Sequence, residues 1–218
     1  MAESPPQLPR TLWWGLCLLS GLMLLAYLLA LAEMKRAQQT PLPVLGRVAD
    51  FTLTNENGQA TTLADLTNHV WLADIIFTRC PGPCPRLTQQ MKMLQDALPA
   101  DSHARLVTLT TDPEFDTPAV LNRYAAHYGA DTNRWIFLTG AKAEIAGLAG
   151  DSLKLGSVPV KPADRQSQFD LFIHTTIFVM VDKHAQLRGV FETGGDGIDG
   201  AAVSPRILTA LRRLEKEP

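Results

Sequence analysis

The sequence predicts an α/β fold: a central mixed sheet flanked by helices, carried behind an N-terminal transmembrane helix. Three observations predict it. A long apolar run opens the chain. Short strand-like runs then alternate with stretches of helical periodicity. A loop rich in Cys, Pro and Gly joins an early strand to the helix that follows it.

The opening run covers residues 11–32 and contains no charged side chain. A helix of that length rises about 33 Å, enough to cross a bilayer. Trp13 and Trp14 stand where interfacial anchors stand, and Glu33, Lys35 and Arg36 end the run. Residues 1–10 read as a tail, 11–32 as a retained signal anchor, 33–47 as a linker with Pro41 and Pro43, and 48–218 as the globular domain. A cleaved signal peptide ending at Ala30, Leu31 and Ala32 is the alternative, and the length of the apolar run argues against it. Arg10 on one side nearly balances Lys35 and Arg36, offset by Glu33, on the other, so charge does not orient the domain. Cys17 reads as a packing residue of this helix.

Elements of the domain follow in order. Residues 51–54 and 59–63 flank the turn Asn55, Glu56, Asn57, Gly58 and read as a hairpin. Residues 70–77 form a buried strand that runs into the cysteine loop, and a helix follows to about Leu98. Residues 104–110 are a second buried strand. Thr117 is placed to cap a helix that Pro118 opens and that runs to about Tyr128. Residues 135–140 are a short strand, 141–149 a weaker helix, and 166–170 an extended piece. Residues 175–181 are a strong strand with 186–191 as its hairpin partner. A turn at Gly194, Gly195, Asp196 and Gly197 precedes a closing amphipathic helix, whose Ile207, Leu208, Leu211 and Leu214 alternate with Arg212, Arg213 and Lys216. The β-α-β order calls for parallel strands, and the late hairpin adds antiparallel ones. This is the thioredoxin-like arrangement, with the cysteines beyond the carboxyl end of a strand.

The net charge of −2 offers no nucleic-acid surface. Three cysteines do not staple a scaffold, so they serve reactivity or ligation. Cys80 and Cys84 lie in the loop Phe77 to Pro85, and Cys84 or Pro85 opens the helix. Unpaired N–H groups and the helix dipole there favour a thiolate, so a cysteine at that place is expected to be more acidic than in a peptide. The pair can close a disulfide or grip a soft metal. His174, at the entry of the strongest late strand, takes the place where oxidoreductases of this fold carry a cis-proline. With Cys80 and Cys84 it would complete a set of two sulfurs and one nitrogen that suits copper and also zinc. A structural disulfide and a dithiol switch are the other readings of the cysteines. A strand-end histidine with no ligand is the other reading of His174. His69, His103, His127 and His184 read as solvated, and Met91 as core. Asp112 and Asp116 read as organisers of their loop and caps of the following helix rather than an acid–base pair.

The chain resembles the Sco/SenC family, membrane-anchored copper proteins of thioredoxin-like fold that help assemble the copper site of cytochrome c oxidase. Three motifs carry the resemblance: Phe77, Thr78, Arg79, Cys80 and Pro81 with Cys84 and Pro85; Thr111 to Glu114 with Asp116, Thr117 and Pro118; and His174 and Thr175 entering an apolar strand that ends at Val181 and Asp182. The resemblance implies copper, as Cu(I) or Cu(II), held by Cys80, Cys84 and His174, and a redox-active disulfide between Cys80 and Cys84. It implies a single-pass protein of the cytoplasmic membrane with its domain on the outer, periplasmic face. The implied partners are the copper ion, the membrane and a copper-receiving oxidase subunit. A thiol–disulfide oxidoreductase acting on one dedicated partner, and a redox or copper sensor, are the alternatives. Ile173 stands where the family often has aspartate, and Pro81, Gly82 and Pro83 make a stiff spacer without an acid.

Overall fold

The computed structural model describes residues 10–39, 41–155, 158–159, 172–173, 176–194 and 200–217, with side chains omitted at 10–12, 35–39, 158–159, 172–173 and 200–202. The chain divides into two compact units, Met1–Pro41 and Leu42–Pro218. The first holds α1 (Arg10–Gln39). Its stretch Trp13–Met34 is long and apolar enough to cross a membrane, and its apolar side chains are exposed.

The second unit is thioredoxin-like. Its eight-stranded sheet contains β1 (Gly46–Arg47), β2 (Thr52–Asn55), β3 (Ala60–Thr62), β4 (Trp71–Ile76), β5 (Arg105–Thr110), β6 (Trp135–Thr139), β9 (Ile177–Val181) and β10 (Gln186–Glu192). The order across it is β1-β10-β9-β4-β5-β6-β2-β3. β4, β5 and β6 are parallel, as the crossover order requires, and the flanking strands are antiparallel. A separate small ladder pairs β7 (Val158–Pro159) with β8 (Phe172–Ile173). The helices are α2 (Leu63–Leu66), α3 (Cys84–Ala97), α4 (Pro118–Tyr128), α5 (Lys142–Ala146) and α6 (Gly200–Lys216).

Every residue of β4 is buried, and strand alternation sends its side chains into two cores. Trp71, Ala73 and Ile75 join Leu138, Leu148 and Val179 on one face. Leu72 packs with Leu87, Met91 and Leu94 of α3 and Ile207, Leu211 and Leu214 of α6 on the other. Met91 is core, as its spacing predicts, whereas Met93 is exposed.

Local chemistry explains where the elements differ from expectation. α2 escapes the hydrophobic pattern because it has one turn; a capping box between Thr62 and Asp65 sets it, and those hydrogen bonds hold the Asp65 carboxyl below its ordinary range. The weaker helix is α5 followed by a π-helical turn, Gly147–Ser152, that carries Leu148, Ala149 and Ser152 into the core. Thr117 is the N-cap residue of α4 by position, but its side chain makes no capping bond. Gly129 ends α4 in the left-handed conformation, φ 66°, where glycine has no Cβ penalty. α6 begins before Pro205, since Val203 already packs against the core. The extended piece expected at 166–170, and Gly195 to Gly197 of the expected turn, lie outside the described residues.

Candidate metal centre

β4 ends at Ile76, and the chain turns at once: the Cys80 N–H donates to the Phe77 carbonyl at 3.1 Å. Pro81, Gly82 and Pro83 then lead into α3, whose first residue is Cys84, with Pro85 in the first turn where its missing N–H is harmless. Both cysteines are thiols rather than a disulfide, and both are buried. Their side chains are hydrogen-bonded to each other, and the Cys84 sulfur also meets the backbone at Phe77. Ile76, Phe77 and Tyr124 complete an apolar shell around the pair. The Tyr124 hydroxyl shares a 2.8 Å hydrogen bond with Thr88, which in turn donates to the Cys84 carbonyl at 3.0 Å.

The acidity expected of the helix-start cysteine is not what the structure gives. The hydrogen bond that the Cys84 thiol donates to the Cys80 sulfur pushes it well up, burial adds to this, and the charge of Asp74 adds a little more. The dipole is real, but Pro83 supplies no capping side chain and two neighbouring sulfurs hold on to a shared proton. Iodoacetamide should therefore label Cys80 of the reduced soluble unit before Cys84, which is also the less exposed of the two at 1% against 6%. Equal labelling in a peptide map would contradict this.

A second layer fastens the loop. Asp116 is fully buried and binds the strand end on both sides: its carboxylate accepts from the Thr78 N–H at 3.0 Å, from the Thr78 hydroxyl and from the Thr110 hydroxyl. Burial pushes the Asp116 carboxyl up, and these hydrogen bonds work against the shift. Arg79 forms an ion pair with Asp112 at 2.6 Å and lies 3.9 Å from the ring centre of half-exposed Phe115. Asp112 and Asp116 thus organise their loop as expected, but the expected capping of α4 does not occur: the Asp116 carboxylate is taken up by Thr78 and Thr110.

His174 lies outside the described residues, as does Thr175. Its described neighbours can be placed. β9 runs antiparallel beside β4, with Trp71 opposite Val181, Leu72 opposite Met180 and Ala73 opposite Val179. Thr176 binds Thr193 and Gly194 through three hydrogen bonds of 2.6–2.9 Å. That pair rests on the cysteine helix: Gln90 donates to the Thr193 carbonyl at 3.2 Å, and a Cβ on Gly194 would come within 2.5 Å of the Arg86 guanidinium. Among the described residues no third His, Cys, Asp or Glu joins the two thiols.

One buried group was passed over in the sequence. Asp74 is fully buried on the α3 side of β4, accepting from the Thr108 hydroxyl at 2.6 Å, and Trp135 donates to Thr108 at 2.9 Å. Its second oxygen has no hydrogen-bond partner among the described residues. Burial pushes this carboxyl up to about 7. The available signal was a lone acid within an otherwise apolar strand.

Comparison with known proteins agrees with this geometry. The SCO1/SenC family model matches residues 43–208. The SCO1 protein homolog of Bacillus subtilis (strain 168) is 37% identical over 146 residues, which cover 66% of this chain and 72% of that one. A protein of Stutzerimonas stutzeri, provisionally named as copper-binding, is 28% identical over 72% of this chain and 75% of its own. Among solved structures, BsSco, described as a Sco-family cytochrome c oxidase assembly protein with a disulfide switch, superposes with a TM-score of 0.66 at 28% identity, covering 82% of this chain and all of that one. A SCO1/SenC family lipoprotein of Bacillus anthracis also reaches 0.66, at 26% identity, over 81% of this chain and all of its own. With a match over well more than half its length and a sheet that superposes on solved relatives, the chain belongs to the SCO1/SenC family.

Proposed function

We propose that this chain is a membrane-anchored copper carrier that supplies copper to, or prepares the thiols of, a respiratory oxidase copper site on the outer face of the membrane. The observation that carries the reading is the pair of hydrogen-bonded thiols in the loop between the end of β4 and the start of α3. The relatives point the same way, through a family of cytochrome c oxidase assembly proteins and a copper-binding name. The donor chemistry fits: two soft sulfurs in an apolar shell suit Cu(I), and an imidazole completes a set that also accommodates Cu(II).

In this reading Cys80 and Cys84 each give up a proton on loading, and His174 binds through a neutral nitrogen. The raised Cys84 thiol makes loading favour higher pH, because its proton must leave. Three protein ligands leave a position open for a recipient. Oxidation of the two thiolates to a disulfide, with two electrons passed to a partner's disulfide, removes both sulfur ligands and ends metal binding. α1 confines this exchange to the membrane that holds the recipient.

The test is a Cu(I) titration of the reduced unit, residues 42–218, beside its His174→Ala variant. The variant should bind more weakly by roughly a hundred-fold or more, beyond what loss of a merely supporting residue costs. Unchanged affinity and spectra would remove His174 from the site. The thiol–disulfide reading rests on the same adjacent sulfurs; turnover of a disulfide substrate by the His174→Ala variant, together with absence of copper from protein isolated from its own membrane, would favour it.

A further inference from the structure

A groove of about 590 Å³ lies between the segment that follows Pro41, the outer face of β10 and the outer face of α6. Its walls are apolar: Leu42, Leu45, Val190 and Phe191 contribute, and Leu45 and Val190 are exposed. Its other wall is basic, with Arg206 and Arg213 one face of α6 apart by two turns. Neither arginine has an ion-pair partner among the described residues, and one buried guanidinium nitrogen of Arg213 has no hydrogen-bond partner there. Among the described residues no carboxylate lines the groove.

A third arginine holds the groove in shape without adding charge. Arg188 is buried, donates twice to the Leu42 carbonyl at 2.7 and 3.2 Å, and is paired with Asp182 and Glu217. Its guanidinium therefore pins the first wall against β10, while the charges of Arg206 and Arg213 are left to face a ligand. The groove thus has an apolar trough with cationic donors at one side, which is the complement of an amphiphile with an anionic head.

We infer that this groove takes one anionic phospholipid, its acyl chain against Leu45, Val190 and Phe191 and its phosphate against Arg206 and Arg213. The volume falls in the range of small-molecule sites, and the exposed Arg206 with the half-buried Arg213 supplies the positive charge for a phosphate. Location supports the same occupant. Only Thr40 and Pro41 separate the last residue of α1 from Leu42, the first residue of the groove, so the membrane that holds α1 supplies the lipid at high local concentration. The inference rests on reading α1 as a membrane anchor. Lipid bound here would hold the soluble unit to the leaflet and limit the directions in which the cysteine loop meets a recipient.

The full chain is placed in nanodiscs of phosphatidylcholine, with or without phosphatidylglycerol, and hydrogen exchange is followed by mass spectrometry. Phosphatidylglycerol should slow exchange in residues 188–191 and 205–213 by about an order of magnitude, and the paired substitution Arg206→Gln, Arg213→Gln should return it to the phosphatidylcholine value, at the usual strength of basic residues beside an anionic surface. An unchanged thermal transition in that variant shows that its fold is intact. Equal exchange in the two lipids, in a chain that co-elutes with the discs, overturns the lipid site and leaves the anchor standing. Failure to co-elute overturns the anchor and the lipid site with it. Protection that follows protein concentration, or that appears on adding an acidic peptide instead of phosphatidylglycerol, assigns the groove to another occupant and overturns the proposal.

Discussion

Between about pH 4 and pH 8 the soluble unit should lose about 4 kcal/mol of stability that its Asp74→Asn variant does not lose. The cause is a carboxyl raised from 3.8 to about 7 by complete burial, with one hydrogen bond from Thr108 and one oxygen unpartnered among the described residues. The sign follows from the direction of the shift. A folded-state value above the unfolded one means that the neutral acid is preferred in the native protein. The contribution is fully present below the ordinary carboxyl value and is lost as pH rises toward the folded one. A gap of about three units is worth about 4 kcal/mol. Asparagine has no proton to lose, so position 74 adds no slope to the variant's profile, and the raised Asp116 carboxyl contributes equally to both proteins. Asp65, held low by Thr62, works in the opposite direction, adding stability above the ordinary value that is lost in acid. It is the same in both proteins and cancels in the difference. Urea unfolding of residues 42–218 at several pH values measures the slope, and equal slopes for the two proteins would sink the prediction. The same substitution reaches the site: removing the Asp74 charge should speed alkylation of Cys84, because that charge helps hold the thiol proton.

Asp116→Ala should cost about 3 kcal/mol and weaken Cu(I) binding by roughly 10- to 100-fold. Three donors converge on this carboxylate, two from Thr78 at the start of the cysteine loop and one from Thr110 at the end of β5. Alanine leaves the Thr78 N–H with no acceptor in a buried place, and the stretch carrying Arg79 and Cys80 loses its fastening to the Asp112–Asp116 segment. Asp116→Asn keeps one accepting oxygen and should fall between the two. A variant within about 1 kcal/mol of the parent, or one destabilised with unchanged copper affinity, would show that the fastening does not reach the site.

The legible part of this molecule was its pattern. Eight buried positions in a row before the loop, helical spacing after it and the crossover order were enough for a thioredoxin-like sheet, because alternation and periodicity are local properties of the chain. Cys80 and Cys84 were legible as a pair for the same reason: four residues of chain cannot carry them far apart. β1 was not, since two residues that pair with β10 more than a hundred positions away leave no local signature. The fastening of Thr78 by Asp116 was also hidden, since it crosses from one loop to another.

What the sequence determined by itself was the anchor-like helix, the order of strands and helices, and the identity of the two sulfurs, all consequences of neighbours along the chain. Tertiary structure decided the rest. It made Cys84 a thiol that resists losing its proton, although a helix start alone favours the reverse, because Cys80 and burial outweigh the dipole there. It turned Asp74 from one letter in an apolar run into a fully buried carboxyl that holds its proton up to about pH 7, since the strand that carries it is covered on both faces. It gathered Leu42, Val190 and Arg213 around one groove. Burial and charge depend on what folds against a residue, and that is set by contacts between segments distant in the chain.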